Sequence, residues 1–143
     1  MVWINELDHV KVIVGRKDGN LHEAFRLAYD ILHQINAHIS FERDDDRFGY
    51  LTLSPSIIGT GLKASVRLQL PFLGDENLFR NEICSQHNLV CEDITTLNNN
   101  AEINNFFQLS NKRTYGLTEA EILQDVYRGV REIINIESHY KEL

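Results

Sequence analysis

Residues 62–70 read Leu-Lys-Ala-Ser-Val-Arg-Leu-Gln-Leu, a strict two-residue alternation that a helix cannot accommodate. Leu62, Ala64, Val66, Leu68 and Leu70 share one face; Lys63, Ser65, Arg67 and Gln69 share the other. Such a strand belongs to a sheet with one apolar face, and that face must be covered by other parts of the chain. Helical stripes supply the cover. After a turn over residues 15–19, Asn20 opens a helix, with Glu23 three residues on in a capping-box-like start. Leu21, Ala24, Phe25, Ala28, Ile31, Leu32 and Ile35 then recur at helical spacing and are expected to face a core. Thr118 and Glu121 form a second capping box before a long last helix, whose face is Ile122, Val126, Val130, Ile133 and Ile134.

Shorter elements lie between these. Strands are expected over 9–14, 50–53, 89–91 and 106–109, and a helix over 75–86. Residues 44–49 form a polar turn and 54–61 a Pro/Gly loop. The Asn-rich stretch 95–105 reads as a mobile surface loop. Short strands mixed irregularly with helices predict an α+β fold, a mostly antiparallel β-sheet packed with helices.

The chain has 143 residues, room for one domain over 1–143 and no internal repeat. Apolar residues make up 43% and charged residues 24%, as in a globular protein. A net charge of −7 without any Lys/Arg block argues against nucleic acid as a partner. The apolar runs are too short for membrane insertion, and the start shows neither a basic n-region nor an apolar h-region. Cys84 and Cys91 form no zinc pattern or disulfide framework, so both are expected as reduced thiols. An intracellular, cytoplasmic chain follows as the expectation, with a mitochondrial or cytoskeletal assembly left open.

Several blocks carry a family pattern. Trp3-Ile4-Asn5-Glu6-Leu7-Asp8-His9 is similar to the W-x-N-E-E-D-H signature of arginine and creatine kinases. The run from Asp45-Asp46-Arg47-Phe48-Gly49-Tyr50 through Leu51-Thr52-Leu53-Ser54-Pro55 resembles D-D-R-x-G-[FY]-L-T-x-C-P. Gly59-Thr60-Gly61-Leu62-Lys63-Ala64-Ser65-Val66 resembles G-T-x-x-R-A-S-V. Ser110-Asn111-Lys112-Arg113 and Gly116-Leu117-Thr118-Glu119 repeat S-N-K-R and G-L-T-E. In this order and spacing they resemble the C-terminal portion of the phosphagen (ATP:guanidino) kinase catalytic domain, truncated and degenerate. Bacterial protein-arginine kinases share the domain, so the branch stays open.

The resemblance implies transfer of the γ-phosphoryl group of ATP to a guanidine, with Mg-ATP or Mg-ADP as cofactor. Such chemistry rests on positioning and on stabilising spread-out negative charge. Carried over position by position, the machinery is depleted. The second Glu of the signature, which holds the guanidinium, is Leu7, and leucine neither accepts a proton nor pairs a cation. Two phosphate-clamping arginines become Lys11 and Lys63, which keep charge but lose the bidentate fork. The cysteine of L-T-x-C-P is Ser54, and the His beside the nucleotide base is Arg67. Thr95 and Asn100 fall nearest the Arg and Glu of the family's flexible loop, and Glu102 takes the acidic role under another alignment.

Lys11, Lys63 and Arg67 therefore stand as a residual nucleotide site, with a solvated basic face as the bland alternative. Lys11 is placed by the resemblance on a strand neighbouring Lys63 and Arg67. Asp8 and His9 are expected as a structural hydrogen-bonded pair, and Asp44-Asp45-Asp46 as a turn rather than a metal site. His22, His33, His38, His87 and His139 form no cluster. The leading expectation is a catalytically inactive guanidino-kinase-like domain acting as a protein-interaction or structural subunit. An atypical phosphotransferase or ADP/ATP-binding regulator, completed by another chain, is the alternative. Loss of the family's earlier strands leaves an open sheet edge, which invites a protein partner or homo-oligomer.

Overall fold

The computed structural model describes residues 1–44, 47–73, 77–94 and 105–142. The fold is α+β, with antiparallel sheets and three α-helices, arranged as two compact units. One comprises Met1–Gly61 with Thr114–Gly116, the other Leu62–Arg113 with Leu117–Leu143.

The first unit begins with an antiparallel ladder of β1 (Val2–Ile4) and β2 (Val10–Val12), in which Trp3 faces Lys11. The first of these strands was not legible, because three residues are too few to show a period. Helix α1 (Leu21–Asn36) starts as expected at Asn20, whose Oδ1 accepts a hydrogen bond from Glu23 N at 3.0 Å. The reciprocal bond of a capping box comes from elsewhere. Asn20 N donates to Asp18 Oδ1 at 3.1 Å, while Glu23 pairs with Arg26. Asp18 also binds Arg16, and the two interactions hold its carboxyl down at about 2. The apolar stripe of α1 finds less cover than its spacing predicts: no residue of the helix is fully buried. Its packing partner in this unit is β2, and a ladder of three-residue strands cannot cover sixteen helical residues.

The expected strand over 50–53 contracts to β4 (Gly49–Tyr50), paired with β3 (Arg43–Asp44). Asp44 organises the intervening turn: its backbone oxygen accepts from Phe48 N and its Oδ1 from Arg47 N. Asp45 and Asp46 lie outside the described residues. A 3-10 turn at Pro55–Ile57 then returns the chain so that Gly59 bridges Tyr50. Gly49 has φ +68°, and a Cβ there would stand 2.6 Å from Gly59 O, so only glycine fits.

The second unit is built on a three-stranded antiparallel sheet. Its strands are β5 (Ser65–Gln69), β6 (Leu89–Asp93) and β7 (Phe106–Asn111), in the order β5-β7-β6. The alternation over 62–70 holds throughout, with Ala64 and Leu70 buried, Leu62, Val66 and Leu68 half-buried and the polar residues between them exposed. Helices α2 (Asn77–Gln86) and α3 (Glu119–Lys141) cover the apolar face. Phe107, Leu109, Ile122, Val126 and Ile133 are sealed there, at 2% exposure or less. The capping box of α3 forms in full. Two positions on its face differ from the periodic reading: Ile134 is 44% exposed, and Gly129 is buried instead. A Cβ on Gly129 would overlap Leu89 Cδ1 and stand 3.1 Å from His87 Cβ, so the missing side chain lets α3 approach the start of β6.

Candidate functional site

The signature residues 3–9 occupy β1 and the connection to β2. Leu7 sits in that connection with its side chain in solvent, 56% exposed. Asp8 reaches across the unit: its Oδ1 accepts a hydrogen bond from Leu53 N at 2.7 Å. Asp8 is thus structural, with Leu53 rather than His9 as partner. The bond ties the signature to the segment containing Ser54. Ser54 Oγ is 2.8 Å from Ser56 Oγ, and the Ser54 carbonyl accepts from Thr52 Oγ1. Position 54 therefore serves the turn before the 3-10 helix.

Lys11 is engaged twice. Its Nζ lies 3.7 Å from Glu6 Oε2 and 5.3 Å from the centre of the Trp3 ring. Glu6, the first acidic residue of the signature, is a partner that reading the motif position by position did not reveal. It becomes visible once the register sets β2 beside β1.

Lys63 and Arg67 belong to the second unit, so Lys11 shares neither their sheet nor their unit. Lys63 is exposed just before β5, and among the described residues its amine has no acidic partner. The backbone around it is clamped by Asn111. Asn111 Oδ1 accepts from Ala64 N at 2.8 Å, and its Nδ2 donates to Leu62 O at 3.1 Å. The S-N-K-R block thereby acquires a physical role, holding the Lys63 segment against β7. Arg67 is turned toward its cross-strand partner, with Nε donating to Gln108 Oε1 at 3.1 Å. Gln108 carried no signal in the sequence because the pairing of β5 with β7 spans forty-one residues. Glu102, with Thr95 and Asn100, lies outside the described residues.

Of the three cations expected as a residual nucleotide site, Lys63 alone is unengaged among the described residues. Lys11 is paired with Glu6, and Arg67 spends one donor on Gln108. Of the three, Arg67 alone carries the planar fork that suits phosphate oxygens. Among the described residues no group of three His, Cys, Asp or Glu side chains is placed to hold a metal ion. A shallow open groove on α1, lined by Tyr29, Asp30, His33 and Gln34, involves none of the positions singled out above.

The family model for the ATP:guanido phosphotransferase, C-terminal catalytic domain, matches residues 1–140. The chain belongs to this family. Among guanidino kinases, an arginine kinase of Artemia franciscana is 35% identical over 137 residues, which is 96% of this chain and 38% of that one. A taurocyamine kinase of Schistosoma mansoni is 34% identical over 142 residues, 99% of this chain and 19% of the relative. The duplicated S. mansoni taurocyamine kinase with bound transition state analog components superposes with a TM-score of 0.87 at 34% identity, covering 96% of this chain and 19% of that one. A lombricine kinase superposes with a TM-score of 0.80 at 29% identity, covering 99% and 39%. The chain thus spans well under half the length of these guanidino kinases. No described helix is long and apolar enough to cross a membrane.

Proposed function

We propose that this chain is a guanidino-kinase-like domain without phosphotransfer activity, acting through protein contacts as a subunit of a larger assembly or by self-association. One observation carries the reading: an exposed leucine, Leu7, occupies the signature position where the family pattern has the carboxylate that holds the guanidinium. A hydrocarbon there can neither orient the nucleophile nor take its proton. The engagement of Lys11 by Glu6 and of Arg67 by Gln108 supports the same reading from the phosphate side. Protein contact is supported by the second sheet, whose outer strands β5 and β6 each pair only with β7 among the described residues. Unpaired strand edges favour pairing with another chain.

The test is a coupled assay of ATP consumption with arginine, taurocyamine, lombricine and creatine, alone and with any co-purifying chain. No turnover above background is expected. Turnover that disappears in Lys63→Ala would overturn the proposal in favour of an atypical phosphotransferase. Light scattering on the native material is expected to show a dimer or a heteromeric complex, and a compact monomer with no co-purifying chain would remove the contact role.

The unengaged amine of Lys63 favours a second reading, a regulator that binds ADP or ATP without turnover. Calorimetric titration with Mg-ADP distinguishes it. Heat abolished by Lys63→Ala would support it, and no heat at millimolar nucleotide would eliminate it.

A further inference from the structure

The second unit contains two thiols that the proposed function leaves without a role. Cys84 lies near the end of α2 and Cys91 is the third residue of β6. Between them the chain reverses at His87 and Asn88, the latter with φ +54°, a conformation asparagine tolerates. The reversal folds β6 back against α2, so the two elements that carry the cysteines pack on one another. Strand register gives the same orientation independently. Cys91 stands opposite Leu109, which is fully buried, so both side chains project to the sheet face that the helices cover. Cys84 is 3% exposed on the covered side of α2, and Cys91 is half-buried.

Both thiols therefore lie on the α2–β6 interface. The neighbouring Cys91 sulfur, then burial, pushes the Cys84 thiol well above its ordinary range. The neighbouring Cys84 thiol lowers Cys91, opposed by burial and assisted by Arg80, while Asp93 acts against Arg80. Arg80, one helical turn before Cys84, is fixed with its Cζ 4.0 Å from the centre of the Phe107 ring. Cys91 is thus the more accessible sulfur and the one whose thiol is held lower, while Cys84 is enclosed and held higher. That is the arrangement of an attacking and a resolving cysteine.

We propose that Cys84 and Cys91 form a reversible disulfide on exposure to hydrogen peroxide, joining α2 to β6. The Cys91 thiolate attacks one peroxide oxygen; the O–O bond breaks and the departing hydroxide is protonated to water. Cys91 is then a sulfenic acid. The Cys84 sulfur attacks Cys91 Sγ, the S–O bond breaks, and the leaving hydroxide takes the Cys84 proton as a second water. The two sulfurs together lose two electrons and the peroxide gains them. A thiol reductant reverses the bond by exchange. The proposal is independent of whether the domain transfers phosphate.

The full chain treated with hydrogen peroxide, then iodoacetamide, tests this by intact mass and peptide mapping. Wild type is expected to become lighter by two hydrogens, lose both alkylation sites and yield a linked Cys84–Cys91 peptide, all restored by dithiothreitol. Cys84→Ser is expected to accumulate a dimedone-reactive sulfenic acid at Cys91. The wild-type measurement stands even if a variant fails to fold. Both thiols remaining alkylatable, a disulfide between two copies, or sulfinic acid at Cys91 with Cys84 still free would each overturn the proposal.

Discussion

Thr114 shows how one hydroxyl can organise a segment distant in sequence. It is 2% exposed, and its Oγ1 donates to Ile58 O at 2.6 Å, with Ser56 O at 3.3 Å. The same loop places Gly59 with φ +110° against Thr114 O, where a Cβ would stand 2.8 Å away. Replacing the hydroxyl by a methyl leaves a buried carbonyl without its donor, at a cost of about 1–3 kcal/mol. Thr114→Val is therefore expected to lower the urea midpoint by that cost divided by the denaturant slope, with the slope itself unchanged. An unchanged midpoint would show that the bond is not formed in solution. Asn111 works in the same manner in the other unit, where its carboxamide spans Leu62 and Ala64. Neither role follows from composition, because each depends on a partner more than forty residues away.

Among the elements, α3 is the one whose ends and face agree most closely with its sequence. Thr118 Oγ1 accepts from Glu121 N, and Glu121 Oε2 accepts from Thr118 N at 2.7 Å. The bond from the Thr118 backbone, then the one from its hydroxyl, holds the Glu121 carboxyl below its ordinary range. A carboxyl lowered in this way stabilises the fold above its unfolded value, and the benefit is lost as pH falls through the lowered value. Thr118→Ala is expected to cost about 1 kcal/mol at neutral pH. The gap between variant and wild type should then narrow as the solution is acidified, read from urea curves across pH. A gap independent of pH would mean that Glu121 takes no part in the cap. Helix α1 contrasts with this. Its start is equally well specified by Asn20 and Asp18, yet its stripe lacks a matching surface. Capping is local and so is readable; cover for a face is not.

The whole molecule divides its stability unevenly. The second unit encloses Phe107, Leu109, Ile122, Val126 and Ile133, and β7 is bonded on both sides. The first unit has two-stranded ladders, and Leu27, Tyr29 and Leu32 of its helix are exposed. Opening energies follow buried contact and enclosure of backbone hydrogen bonds. Hydrogen exchange is therefore expected to be slowest at the amides of β7 and the middle of α3, and fast across β1 and β2. Equal protection of β1–β2 and β7 would contradict this division.

The amino-acid sequence alone carried whatever is periodic, local or motif-bound. The alternation over 62–70, the two capped helix starts, the polar turn over 44–49 and the family blocks were all legible. They are legible because a two-residue period, a cap and a left-handed turn are set by neighbours within a few positions. Only the tertiary structure decided the rest. It paired Lys11 with Glu6 and Arg67 with Gln108, gave Asp8 to Leu53, and put Lys11 in a different unit from Lys63. It also left α1 short of cover, buried Gly129 in place of Ile134, and set Cys84 against Cys91. These follow from strand register and from which surfaces meet, both settled by the packing of residues far apart in the chain. The alternating strand fits its sheet residue by residue, while Arg67 on its polar face acquired a partner, Gln108, that no spacing could show.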